Sequence, residues 1–501
     1  MNIKLEEWII EADITSMQLA MEEGLLTSEE LVSIYLERIE IYNPEINAVL
    51  EINPDALQIA KQLDQERRER GSRGLLHGIP ILVKDNVDTG DRMHTSAGSV
   101  VLADSFAARD SFVAAKLRES GAVLLGKTNM TEWSNFMSST MPAGYSSRGG
   151  EVRSPYEPGE IFVSGSSSGS GAAVAAGFAA AAIGTETAGS IIGPACQSFL
   201  VGIKPTVGLV SRAGIIPISV SQDTAGPLAR SVRDAAILLG ALTGMDERDA
   251  ATNASHGQTH EDYTPFLDAS SLQQARIGVP RHYYKHLDKE RLAIMEAAIE
   301  SMKQQGAAII DPIDIYVEEQ AWNNDVICYE FKQGLNRYLS QTADSVPVHS
   351  LHELIAYHEA HTEIAARHGQ DTLIRSQAST MTEEEYRQKK AEYSKAAMER
   401  GIDYVLEQHQ LDALLLPGDI DGMYIAARLG YPLVCVPAGY SEQGSIDSDG
   451  DSTKGPFAVV FSGKAFSEPV LIKLAYAFEQ ATKHRFPPPN PFGLRSIIRK
   501  W

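Results

Sequence analysis

Residues 163–194 read VSGSSSGSGAAVAAGFAAAAIGTETAGSIIGP, and no other stretch narrows the fold as much. A loop rich in glycine and serine stands at each end, Ser164 to Gly171 and Gly184 to Ser190. Glycine lets a backbone turn tightly and aim its N–H groups at a ligand, and serine hydroxyls are candidate nucleophiles. The run between the loops, Ala172 to Ile183, is too short to cross a bilayer and too apolar for a solvated linker. It predicts a buried helix whose small side chains admit close backbone packing.

Around this stretch, apolar runs alternate with helical periodicity. Ile79 to Val83, Ala122 to Leu125, Arg276 to Pro280, Ala307 to Ile310, Ala413 to Leu416, Leu433 to Val436 and Ala458 to Phe461 read as short strands. Residues 14–48, 53–70, 109–120, 232–242, 289–305 and 469–482 read as helices, with Thr27 to Glu30 opening one and Asn43-Pro44 closing it. Residues 315–408 are mostly helical and more polar. Residues 138–162 read as a long loop, 245–271 as a boundary or long connection, and 441–455 as a flexible loop. Strand and helix alternation from about residue 76 to 482 is the pattern of an α/β fold.

The 501 residues carry 44 Lys and Arg against 66 Asp and Glu, a formal net charge of −22. That balance argues against a surface for nucleic acid or anionic membrane. No run of about 18 apolar residues is present, so no membrane-spanning helix is expected. The opening MNIKLEEWIIEAD lacks the apolar centre of a signal peptide, and a cytoplasmic compartment is the expectation. Cys196, Cys328 and Cys435 are few, distant and odd in number, which excludes a disulfide framework or a cysteine-only zinc site. Cys196 has no base in its motif and reads as a buried thiol.

Several chemistries can be set aside. The first loop lacks the Gly-Lys-Ser/Thr of a phosphate loop, and neither His-Glu-x-x-His nor Ser-x-x-Lys occurs. Gly165 to Gly169 fits Gly-x-Ser-x-Gly, which would make Ser167 the nucleophile of an elbow. A plain turn of small residues fits the same spacing as well. Lys84 ends the strand 79–83; a lysine there ordinarily reaches for water.

Taken together, the motifs resemble the amidase signature family over nearly the whole chain. Ser164 to Ser170, Gly184 to Ile191, Gly78 to Asp85, Gly126 to Asn129, Gly202 to Gly208 and Asp223 to Pro227 each match a family motif, in the family's order. Gly184 to Thr187 with Ser221 to Pro227 is most similar to the bacterial peptide amidase branch. The resemblance implies a large mixed β-sheet covered by helices on both faces. It implies a helical segment at 1–70, a catalytic core at 71–245, and an α/β part at 246–501 that completes the same domain and the substrate pocket.

The resemblance also implies a Ser–cis-Ser–Lys triad: Ser190 as nucleophile, Ser166 as the cis-peptide serine and Lys84 as base. Backbone N–H groups of Thr187, Ala188, Gly189 and Ser190 would form the oxyanion hole, with Asp85, Asn129, Ser167, Glu186 and Asp223 in support. The elbow at Ser167 then loses, since it accounts for one loop only. No metal or cofactor is required. A lysine near its reference pKa of about 10.4 must shift by roughly 3.4 units, about 4.6 kcal/mol, to be half neutral at pH 7, and burial pushes it that way.

The chain departs from the family pattern at four kinds of place. Ser164 and Ser168 stand for glycines, and Ala188 for the first glycine before the nucleophile. Glu186 replaces the common Asp, and Ile192 stands where most members have Arg, so Glu186 needs another partner. The implied activity is hydrolysis of a carboxamide to carboxylate and ammonia, with a peptide amide or similar small amide as substrate. The alternatives are the glutaminase subunit of a tRNA-dependent amidotransferase and a non-catalytic scaffold. The acidic charge weighs against the former, and the intact Lys84, Ser166 and Ser190 against the latter.

Overall fold

The computed structural model describes residues 2–315, 324–418, 422–448 and 450–489. Residues 316–323 of the expected helical stretch and residue 449 of the 441–455 loop lie outside the described residues. In chain order the strands are β1 Val49–Ile52, β2 Pro80–Lys84, β3 Val123–Thr128, β4 Tyr145–Ser146, β5 Gly150–Glu151, β6 Ala181–Glu186, β7 Val201–Lys204, β8 Thr224–Ala229, β9 Arg276–Gly278, β10 Ala308–Ile310, β11 Ala413–Pro417, β12 Leu433–Ser441 and β13 Gly455–Ser462. β4 and β5 pair only with each other. The rest form one 11-stranded sheet in the order β1-β3-β2-β6-β8-β7-β12-β13-β11-β9-β10.

The sheet is mixed. β2 runs parallel to both β3 and β6, and β9 runs parallel to β10 and β11. The remaining neighbours are antiparallel. Every residue of β2, β3, β6, β7, β8, β11 and β13 is buried, which is why most of these strands read as continuous apolar runs rather than alternating ones. Helices Val232–Leu242 and Glu468–Thr482 pack against β8 and β12 respectively.

The central stretch departs from its sequence reading. Ala172 to Ile183 is not one helix. The helix spans Ser168–Ala175 and β6 begins at Ala181. Gly177 sits at φ +68, with its N–H on the Val174 carbonyl and the Phe178 N–H on that of Ala173. This is a left-handed glycine terminator, which a side chain would strain. Beyond it the alanines extend between β2 and β8, whose edges satisfy their backbone groups. β1 and β8 are further strands that no apolar run announced.

A smaller correction concerns Asn43-Pro44. The helix Ser28–Ile46 runs through Pro44 and ends at Asn47, which is left-handed at φ 56. Its start matches the sequence reading, with the Thr27 side chain and Glu30 forming a capping box. A second, separate apolar cluster joins Met130, Trp133 and Ile216 to Phe331, Leu335 and Leu351. It anchors helices Asp325–Leu339 and Leu351–Ala360 beside the carboxyl end of β2. Among the described residues no helix is long and apolar enough to cross a membrane.

Candidate active site

β2 delivers Lys84 to its carboxyl end, flanked by β3 and β6. Lys84 is fully buried and so does not reach for water. Its Nζ donates to Ser166 Oγ at 2.7 Å, to Thr185 Oγ1 at 3.0 Å and to the Thr185 carbonyl at 3.3 Å. Burial pushes its pKa down to about 7, against the weaker pull of Glu186 and Asp223. The amine is therefore about half neutral at neutral pH.

Ser166 is fully buried just before the Ser168–Ala175 helix, and the Gly165–Ser166 peptide bond is cis. Its carbonyl accepts the Thr131 N–H at 3.1 Å. Ser190 lies on the turn after β6, 8% exposed, and its carbonyl accepts the Ser167 N–H at 3.2 Å. The two glycine- and serine-rich loops thus meet, with Lys84 beneath the first. Ser167 is a structural tie: its Oγ donates to the Thr185 carbonyl at 3.1 Å and accepts the Thr185 N–H at 3.2 Å.

Glu186 finds its partner in backbone. Its carboxylate accepts the N–H groups of Gly189 at 2.8 Å, Ile191 at 2.7 Å and Ile192 at 3.0 Å. A carboxylate at the start of the Ile192–Gln197 helix answers the unpaired N–H groups there, and no arginine is needed. The positive φ of this loop falls on Gly189, at 77°, and Ala188 is not among the positive-φ residues. Ala188 therefore meets no backbone penalty. Ser164 does adopt φ 58, and its buried Oγ has no hydrogen-bond partner.

A family model described as Amidase matches residues 30–472. The chain belongs to the amidase family. A probable amidase of Arabidopsis thaliana is 42% identical over 494 residues, 96% of this chain and 92% of that protein. The crystal structure of native peptide amidase from Stenotrophomonas maltophilia is 41% identical, superposes with a TM-score of 0.87, and covers 96% of this chain and 98% of its own. A glutamyl-tRNA(Gln) amidotransferase subunit of Methylobacillus flagellatus is 40% identical over 287 residues, 57% of this chain and 56% of that protein.

In this amidase a cavity of about 570 Å³ opens beside the second loop, lined there by Asn86, Thr185 and Thr187. The size is in the usual range of about 300–1,000 Å³ for small-molecule sites. Asp223 also lines it, and its Oδ1 accepts Thr187 Oγ1 at 2.5 Å while Oδ2 accepts the N–H groups of Ile218 and Ser219, both at 2.8 Å. Burial raises the Asp223 pKa to about 6. Asp85 and Asn129 act at one remove. The Asp85 carboxylate accepts Ser96 Oγ and the Gly98 N–H, and Asn129 Oδ1 accepts Ser146 Oγ at 2.7 Å. Both fix neighbouring loops.

Thr185 and Asn86 escaped the sequence reading. Thr185 Oγ1 accepts from Lys84 and from Asn86 Nδ2, the latter at 2.9 Å. Thr185 stands inside a matched motif and Asn86 directly after one, so adjacency to Glu186 and to Lys84-Asp85 was the available signal. Among the described residues no cluster of three or more His, Cys, Asp or Glu side chains is arranged to hold a metal ion.

Proposed function

We propose that this amidase hydrolyses carboxamides, C-terminal peptide amides foremost, through an acyl-enzyme on Ser190. The observation that carries the reading is the buried Lys84 amine, 2.7 Å from Ser166 Oγ with its pKa brought to about 7. Neutral Lys84 accepts the Ser166 hydroxyl proton as Ser166 takes that of Ser190, and Ser190 Oγ bonds to the amide carbon. The carbonyl π electrons move to oxygen. That oxyanion is received by backbone N–H groups of Thr187, Ala188 and Ser190, preorganised donors in a loop that Glu186 braces. The Gly189 N–H, first expected among them, is turned onto Glu186.

The C–N bond then breaks, and the departing nitrogen takes the proton back through Ser166 to leave as ammonia. Water attacks the ester by the same relay and releases the carboxylate. Preference for peptide amides rests on the full-length similarity to the Stenotrophomonas enzyme and on the 570 Å³ cavity. The glutaminase-subunit reading is weaker, because that likeness covers 57% of the chain.

The test is ammonia release from peptide amides, small aryl amides and glutamine by the purified chain. Peptide amides should be the best substrates, and Ser190→Ala should lose about a thousandfold or more in kcat. Retention of most activity by Ser190→Ala would sink the assignment. Glutamine as the sole substrate would turn it to the amidotransferase reading.

A further inference from the structure

The cavity beside the second loop has a charge asymmetry in its wall. Its five lining carboxylates, those of Asp88, Asp110, Glu186, Asp223 and Asp249, are all engaged by donors of the protein. Asp249 forms a two-pronged pair with Arg212 at 2.6 Å on each side, and Asp88 accepts Tyr338 Oη at 2.8 Å. Of the lining arginines, Arg212 and Arg248 are paired, the latter with Asp246. Arg109 and Arg337 also line the cavity, both exposed; among the described residues neither closes an ion pair, and Arg109 acts on the Asp88 carboxylate only at longer range. They come from separate elements, the 103–110 segment and the Asp325–Leu339 helix. In a chain of net charge −22, the wall sets four arginines against five carboxylates, and the two guanidinium groups outside ion pairs are the ones exposed at its rim.

We propose that the acyl arm of the preferred substrate carries a carboxylate, received at the cavity rim by Arg337 and Arg109. The proposal rests on the amide-hydrolysis reading above, with the carboxamide over Ser190 and the arm running out along the cavity. A guanidinium presents a planar fork that matches a carboxylate. Because both arginines are solvated, the selectivity they give is modest and weakens in salt. Burial pushes the carboxyls of Asp88 and Asp223 up to about 6, which reduces their opposition to an anion in mildly acid solution.

The experiment compares kcat/KM for three acetylated dipeptide amides, Ac-Glu-Leu-NH2, Ac-Gln-Leu-NH2 and Ac-Lys-Leu-NH2, in the wild-type chain and in the Arg109→Gln/Arg337→Gln double variant. A preference for Glu over Gln of about five- to tenfold is expected, the scale of one or two partly solvated ion pairs. That ratio should fall toward one in the double variant and in 0.5 M salt (an assay condition, about a 4 Å Debye length). Equal rates for the Glu and Gln peptides, or a preference for Lys, overturn the proposal while leaving amide hydrolysis intact. Hydrolysis of none of the three, nor of any simple amide, overturns both.

Discussion

Lys84 Nζ stands 2.7 Å from Ser166 Oγ, and neither residue is exposed to solvent. The pair couples an expensive buried amine to a hydroxyl that is itself one residue from the tie at Ser167. A lysine kept dry yields its proton readily and takes one back only against the cost of burying a charge.

Activity should therefore track the neutral form of Lys84. kcat/KM for a neutral amide is expected to rise tenfold per pH unit below about 7, pass half-maximum near 7, and level off above about 8. A pH–rate profile checks this. A flat profile between pH 5 and 9 would remove Lys84 from the role of base.

The same burial makes Lys84 a stability burden. Its folded pKa of about 7 lies below the ordinary 10.5, so between these values the unfolded chain binds the extra proton and stability rises with pH. The penalty is full below pH 7 and gone above 10.5, and the difference corresponds to about 5 kcal/mol. Lys84→Met should thus abolish activity yet stabilise the fold at pH 6, by about 1–3 kcal/mol once the lost hydrogen bonds are counted. At pH 10 the gain over wild type should be much smaller. Urea midpoints of both proteins at the two pH values decide it.

Glu186 should matter to both stability and rate. Glu186→Ala strands the N–H groups of Gly189, Ile191 and Ile192, which Glu186 now holds at 2.7–3.0 Å. A loss of about 2–4 kcal/mol in stability is expected, with at least about a tenfold drop in kcat as the loop loosens. Glu186→Gln, which keeps one acceptor, should fall between. Thermal melts and ammonia-release rates measured together test the pairing of the two effects.

Ser164→Gly is expected to stabilise. Ser164 holds φ 58 and buries a hydroxyl with no partner. Removing both costs outweighs the greater chain entropy of glycine, for a net gain of about 1 kcal/mol. A lower melting temperature in the variant would show that the serine is needed where it stands.

The sequence by itself determined where the apolar strands and the glycine- and serine-rich loops lie along the chain, and the roles of Lys84, Ser166 and Ser190 came from the family resemblance. Lys84 after its apolar strand, the two loops around Ser166 and Ser190, and the alternation of strand and helix were all legible, because burial writes apolar runs and tight turns demand glycine and serine. It did not determine the fate of Ala172 to Ile183. Alanine has the highest helix propensity, and only the presence of β2 and β8 on either side turns the end of that run into a strand. β8 stayed hidden for a related reason, since Thr224 to Ala229 carries glycine and proline and gains its place from pairing with β6 and β7. The partner of Glu186, the harmless fit of Ala188 and the exposure of Arg109 and Arg337 at the cavity rim were likewise decided only in three dimensions. Each depends on which backbone or carboxylate another element brings within hydrogen-bonding distance, and linear spacing carries no record of that.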